Sequence, residues 1–204
     1  MSLTAAAIEN RTVTYFAAFL LLAAGIGAYF QLGQLEDPDF TEGHNRVWNG
    51  CFEQGLAGPP FGWNLRRSEA YSAHRVEGAG PDGSWTLEID FHGKENLSFA
   101  HVSQELLLKS GGAYRLRFGI RTEEVSTEEG IYLELLSRDP SQSLFESEQF
   151  RGTNDWTRIG AMFMMPEGSG RAILRLRRRQ SRQIDNKIRG KVWVDSVTVN
   201  AVEP

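Results

Sequence analysis

The sequence predicts an all-β fold, an antiparallel β-sandwich, preceded by one N-terminal transmembrane helix. Three observations carry that expectation. Thr12 to Leu35 is a run without a formal charge. From Asn45 onward the apolar residues fall into short alternating strings, the period-two sign of half-buried strands. Turn-formers separate those strings at regular intervals, and no string of helical period reaches ten residues. The whole chain has 204 residues, 41% hydrophobic and 24% charged, with 21 glycines and one cysteine. That composition excludes wholesale disorder, a collagen-like repeat and a disulfide scaffold, and Cys51 alone excludes a multi-cysteine metal site.

The uncharged run comes first. At about 1.5 Å per helical residue it reaches roughly 36 Å, enough to cross a hydrocarbon core of about 30 Å. Tyr15 and the Tyr29-Phe30 pair lie toward its ends, where amphipathic rings favour the membrane interface. A cleaved signal peptide and a buried soluble helix are the competing readings. A signal peptide has a shorter core and a basic start, whereas Glu9 offsets Arg11 here. A buried helix carries polar residues every three or four positions. Arg11 precedes the span, and Glu36, Asp37, Asp39 and Glu42 follow it, which favours the N-terminus inside. Ala5 to Thr14, the span, and Gln31 to Thr41 together resemble the opening of a resistance–nodulation–division efflux permease, its first transmembrane helix. The resemblance implies insertion with the N-terminus inside. Transport is not implied, because the chain has one such span and no carboxylate within it.

Charge arithmetic sets the boundary. Residues 1 to 45 hold one basic side chain and five acidic ones, and residues 46 to 204 hold 21 of each. We therefore expect a membrane anchor and short linker over 1–44 and a sandwich over 45–204. Strands are expected at about 46–53, 62–68, 72–78, 84–92, 99–109, 113–123, 130–138, 144–150, 156–165, 171–179 and 191–201. Turns fall at Gly58-Pro59-Pro60, Gly78 to Gly83, Ser110-Gly111-Gly112, Asp139-Pro140 and Pro166 to Gly170. Ser126-Thr127-Glu128-Glu129 hints at one helical turn. The inward sides are expected to be Tyr114-Leu116-Phe118-Ile120, Leu133-Leu135, Ile159-Ala161-Phe163 and Ile173, with either Val192-Val194 or Trp193.

Asn49-Gly50-Cys51-Phe52-Glu53 followed by Pro60-Phe61-Gly62-Trp63 resembles the first strands of galactose-binding-like jelly-roll modules, the fold of many carbohydrate-binding modules. Val102 to Leu106 then Gly111-Gly112-Ala113-Tyr114, Asp155-Trp156-Thr157, and the closing Gly190 to Val197 follow in the matching order. The resemblance covers about 46–202 and implies a jelly roll that binds a polysaccharide or oligosaccharide without catalysis. It also implies a structural Ca²⁺ where the first and last strands meet, with Glu53 and Asp195 among its ligands; Cys51 stands where relatives carry a polar side chain. Calcium takes six to eight oxygens, so the bland reading is that both carboxylates simply hold loop backbone.

No catalytic constellation is present. His44, His74, His92 and His101 lack metal-ligand spacing, and there is no nucleophile turn, phosphate loop or dinucleotide fingerprint. Sugar binding needs aromatic faces for pyranose C–H surfaces. Tyr71 and Trp85, flanking the glycine-rich loop, and Trp193 are the stacking candidates; Trp63 and Trp156 sit at positions expected to pack the core. From Arg171 to Lys191 nine basic residues face Asp185 alone. Arg175, Arg177 and Arg179 alternate with Leu174 and Leu176, so a strand places them on one solvent-facing side, a surface for an acidic polysaccharide. The alternative is a solvated face balanced by Glu123, Glu124, Glu128 and Glu129. The expected setting is the cytoplasmic (inner) membrane of a bacterium, the chain passing once through residues 12–35 with the sandwich periplasmic or extracellular. Nucleic acid is not an expected partner there. An envelope structural or protein-interaction module, docking a secretion or efflux partner, is the rival function.

Overall fold

The structure, a computed structural model, describes residues 44–56, 62–81, 84–139 and 141–202. These fall within one compact unit, Phe40–Pro204. The expected span at 12–35 and its permease-like flanks lie outside the described residues; among the described ones no helix is long and apolar enough to cross a membrane.

Ten strands follow in order: β1 (Asn64–Leu65), β2 (Tyr71–Val76), β3 (Thr86–His92), β4 (Phe99–Leu107), β5 (Ala113–Val125), β6 (Tyr132–Ser137), β7 (Gln142–Glu146), β8 (Gly152–Met164), β9 (Arg171–Arg178) and β10 (Arg189–Ala201). They form two five-stranded antiparallel sheets. Sheet A runs β1-β4-β9-β6-β7, and sheet B runs β2-β3-β10-β5-β8. The chain alternates between sheets in the jelly-roll manner, and the alternating apolar sides meet between them. Leu116, Phe118 and Ile120 of β5 face Leu133 and Leu135 of β6 and Leu174 and Leu176 of β9, all buried.

Two expectations of secondary structure need correction. Residues 46–53 form turns rather than a strand. Their backbone bonds divide between β10 and side chains: Arg46 N–H donates to the Val199 carbonyl and Gly50 C=O accepts from Val197 N–H, while Gln104 accepts from Trp48 N–H and donates to Trp48 C=O, at 2.8 and 2.9 Å. Asn45 accepts from Val199 N–H and donates to Val197 C=O. The stretch is thus stitched to sheet A by one amide and to sheet B by another. Gly50 allows the close approach, because a Cβ there would collide with the Val197 carbonyl. Ser126 to Glu129 bend without a helical turn, with Thr127 at φ 77°. The register also corrects Ile173, which pairs with Glu105 and Leu136 on the outer side of β9 while Ala172, Leu174 and Leu176 point inward. On β10 Val192 and Val194 point inward and Trp193 outward.

One core position is occupied by a cation. Arg178 continues the inward row of β9 and is fully buried. Its guanidinium donates to the carbonyls of Leu97, Glu129 and Asn186, to Asn96 Oδ1 and to Thr127 Oγ1, at 2.6–3.3 Å. Burial pulls its pKa below the usual arginine value, against the opposing fields of Glu128 and Glu129. Removing the guanidinium would leave several of these acceptors without a donor, away from water. We expect Arg178→Met to cost at least about 3 kcal/mol in denaturant unfolding; a loss within about 0.5 kcal/mol, the usual effect of a surface change, would show that these bonds do not hold the loops.

Candidate functional site

The aromatic candidates occupy three different environments. Tyr71, on β2, points into the core beside Phe91, Phe99 and His101, and its hydroxyl donates to the Arg66 carbonyl. It is only 3% exposed, so it offers no open platform. Trp193 points out of sheet B but is covered. Its Nε1–H donates to Glu88 at 2.8 Å, and Arg121 lies over its ring at 4.6 Å. Trp85 is half-buried with the Arg75 guanidinium 4.1 Å over one face. Trp63 is buried, as expected for a core position. Trp156 is not: its ring lies against Gly119 on the outer side of sheet B, with Nε1–H on the Ala79 carbonyl. Among the described residues the exposed large apolar side chains are Met162, Met164 and Ile184, none of them aromatic.

The arginines of β9 do share the outer side of sheet A, but acidic side chains meet them there. Arg175 pairs with Glu134, which is nearly buried, and Arg179 with Glu146 at 2.9 Å. Arg171 pairs with Asp139 at 2.8 Å, and Arg138 with Glu105 at 3.0 Å. Arg177 donates to Ser98 and to the carbonyls of Phe99 and Arg178. Glu134 and Glu146 come from the neighbouring strands β6 and β7, so the row is balanced across the sheet rather than from the acidic residues near 123–129.

Glu53 and Asp195 approach adjacent residues of the β2–β3 loop. Glu53 accepts from Trp85 N–H and Asp195 from the Ser84 hydroxyl, both at 3.4 Å. Asp195 is buried and also accepts from Ser196 N–H. An all-oxygen set of this kind suits a hard cation. Against it, Arg75 donates to the Glu53 carbonyl at 2.8 Å, and among the described residues no three metal-ligating side chains converge. The loop's own carboxylate, Asp82, lies outside the described residues.

Two cavities are more open than these positions. One, about 550 Å³, lies at the free edge between β1 and β2. Trp63, Leu65 and Tyr71 form apolar walls, while Arg66, Arg67 and Ser72 supply polar arms. The other, about 500 Å³, crosses β10, β5 and β8 on the outer side of sheet B over Gly119 and Gly160. Of the sequence candidates only Tyr71 lines the first, and none lines the second. For the second the available signal was a glycine in the middle of each of two long strands, Gly119 and Gly160, which leaves the backbone open to close approach.

No protein-family model and no curated protein matches the chain. Solved structures share its fold. A family 4 carbohydrate-binding module is 17% identical over 76% of this chain and 99% of its own, with a TM-score of 0.54. The xylan-binding CBM22-1 domain of Paenibacillus barcinonensis Xyn10C is 15% identical over 76% and 93%, TM-score 0.52. TmCBM61, solved with β-1,4-galactotriose, is 18% identical over 78% and 99%, TM-score 0.51. At these identities the likeness is one of fold.

His101 is stacked on Tyr71, one of the residues lining the first cavity. Burial holds its imidazole below the ordinary 6.5, Arg66 and Arg177 add to this, and Glu95 opposes. The folded chain thus binds this proton less readily than the unfolded one. Its contribution to stability is complete above about pH 6.5 and is lost as pH falls toward the folded value. Thermal melts between pH 7.5 and 5.5 are expected to show a smaller drop in midpoint for His101→Phe than for the parent chain; equal drops would contradict this.

Proposed function

We propose that this chain is a membrane-anchored, non-catalytic carbohydrate-binding module, held at a bacterial cytoplasmic membrane through residues 12–35 and presenting its sandwich outside the cytoplasm. The observation that carries the reading is the β1–β2 cavity on a fold shared with several carbohydrate-binding modules. Its walls combine apolar faces from Trp63, Leu65 and Tyr71 with hydrogen-bonding arms from Arg66, Arg67 and Ser72. A sugar ring needs this mixture: C–H surfaces to lay against apolar walls and hydroxyls to meet fixed polar groups. Tyr71 thus acts as a wall of the cavity rather than as an exposed stacking plate.

Affinity electrophoresis of the full chain in neutral detergent against xylan, β-1,4-galactan and dextran tests the reading. Retardation by at least one of them is expected, weakened by at least about tenfold in Arg67→Ala and in the cavity-filling Ser72→Trp, with unchanged melting midpoints. If no glycan retards the chain, the envelope interaction module is the better description.

We further propose that Glu53 and Asp195 bind a structural calcium ion together with loop carbonyls. Millimolar Ca²⁺ is expected to raise the melting midpoint, chelator to reverse it, and Asp195→Asn to abolish the difference. A midpoint indifferent to both additions would exclude the ion.

A further inference from the structure

Arg171, Arg175 and Arg179 on sheet A and Arg121 on sheet B each meet a carboxylate, whereas Arg117 and Arg158 on sheet B do not. On the outer side of that half, antiparallel pairing sets Arg117 of β5 opposite Gly160 of β8, and Gly119 of β5 opposite Arg158 of β8. The two arginines therefore stand on a diagonal, a spacing of about 7–8 Å between such residues, and each faces a glycine across the strand gap. Among the described residues neither guanidinium has an ion pair or a hydrogen bond. Arg115, two residues along β5, donates only to Met162 Sδ at 3.4 Å.

The surroundings complete a groove. β10 carries a bulge between Asp195 and Thr198 opposite Gly119 and Arg117, with Ser196 in the left-handed region at φ 54°. The bulge turns the Ser196 side chain out to solvent, and Thr198 and Asn200 line the same wall. Ser196 and Thr198 offer hydroxyls and Asn200 an amide, groups that both donate and accept. At the Gly119 end stands the half-buried ring of Trp156, 3.4 Å from where a Cβ would be. At Gly160 a Cβ would meet nothing closer than 3.8 Å, so that part of the floor is open backbone.

We propose that this groove binds an acidic polysaccharide, with a carboxylate or sulfate of one sugar held between Arg117 and Arg158 and its ring lying over the glycine floor toward Trp156. Guanidinium forks match the oxygens of either anion in a bidentate manner. A free inorganic anion would satisfy the arginines but would leave the hydroxyl wall and the indole without a role. A lipid headgroup is disfavoured because the groove is recessed between strands and lined by polar side chains. The inference rests on the reading of the chain as a carbohydrate binder but uses a different surface, so the two fail separately: Ser72→Trp, on the edge strand β2, blocks the β1–β2 cavity and leaves the β10–β5–β8 part of sheet B unaltered.

Binding of the full chain in neutral detergent to polygalacturonate, dextran sulfate and uncharged dextran tests it. Polygalacturonate, dextran sulfate or both are expected to bind, the first arm reporting carboxylate and the second sulfate, and added salt is expected to weaken the binding. Arg117→Gln and Arg158→Gln should each weaken it by at least about tenfold. Arg179→Gln, which removes a cation already paired with Glu146, should leave it unchanged. Gly160→Val keeps every charge and fills the floor, and it should also abolish binding while preserving the melting midpoint. The proposal is overturned if neither acidic polymer binds, if both arginine variants bind as the parent does, or if only phosphatidylglycerol vesicles bind through these arginines.

Discussion

A guanidinium inside the sandwich is the constraint around which one end of this molecule is arranged. Taking Arg178 out of water is tolerable only if its donors find fixed acceptors. They find them on three separate segments: Asn96 and Leu97 before β4, Thr127 and Glu129 after β5, and Asn186 before β10. Ser181 and Glu128 add a side-chain bond across the same segments, and that hydrogen bond lowers the Glu128 pKa. Loops that would otherwise be independent are held to one strand end. An apolar residue at this position would fill the volume and tie nothing.

The two sheets handle their surface charge in opposite ways. On sheet A the cations of β9 lie between β6, which supplies Glu134, and β4, which supplies Glu105. Cross-strand pairing makes neighbours of residues about 40 positions apart in sequence and neutralises a row that looks strongly basic when read along one strand. On sheet B the acid, Glu88, lies on β3 and serves His74, Lys191 and Trp193. On the β5–β8 half Glu123 pairs with Arg121 at 3.7 Å, but among the described residues no acid reaches Arg117 or Arg158. A local charge count along the chain therefore located cations correctly and their electrostatic consequence incorrectly.

Most of the strand framework was legible because alternation and turn residues are local signals. Every strand from β2 to β10 was expected within a few residues of where it lies, and Arg175, Arg177 and Arg179 were expected on one side of β9. The failures are non-local. Residues 46–53 have a strand-like pattern, yet their backbone partners are the amides of Gln104 and Asn45 and isolated backbone groups of Val197 and Val199, which no periodicity reveals. Trp193 alternates outward as expected, but its cover comes from Arg121 on β5 and Glu88 on β3. Tyr71 follows a loop in sequence and lies in the core in space. Arg178 could have been found: Arg177, Arg178 and Arg179 are consecutive, and on a strand three consecutive arginines force at least one inward.

The glycine-floored groove also explains why its arginines can remain unpaired without cost to the fold. Even at the diagonal spacing of their attachment points, about 7–8 Å, two unit charges in a water-like dielectric repel by only roughly 0.5 kcal/mol, small beside the burial of the β5 side chains beneath them. Nothing in folding therefore demands a carboxylate there. The same screening means that charge alone gives little affinity for an anion, so recognition has to come from forked hydrogen bonds and from ring contact at Trp156. A polymer adds a further factor, because successive acidic sugars present the anion at high effective concentration. A shallow site of modest intrinsic strength is then sufficient for a chain that meets a polysaccharide, and would not be for one that captures a free sugar acid.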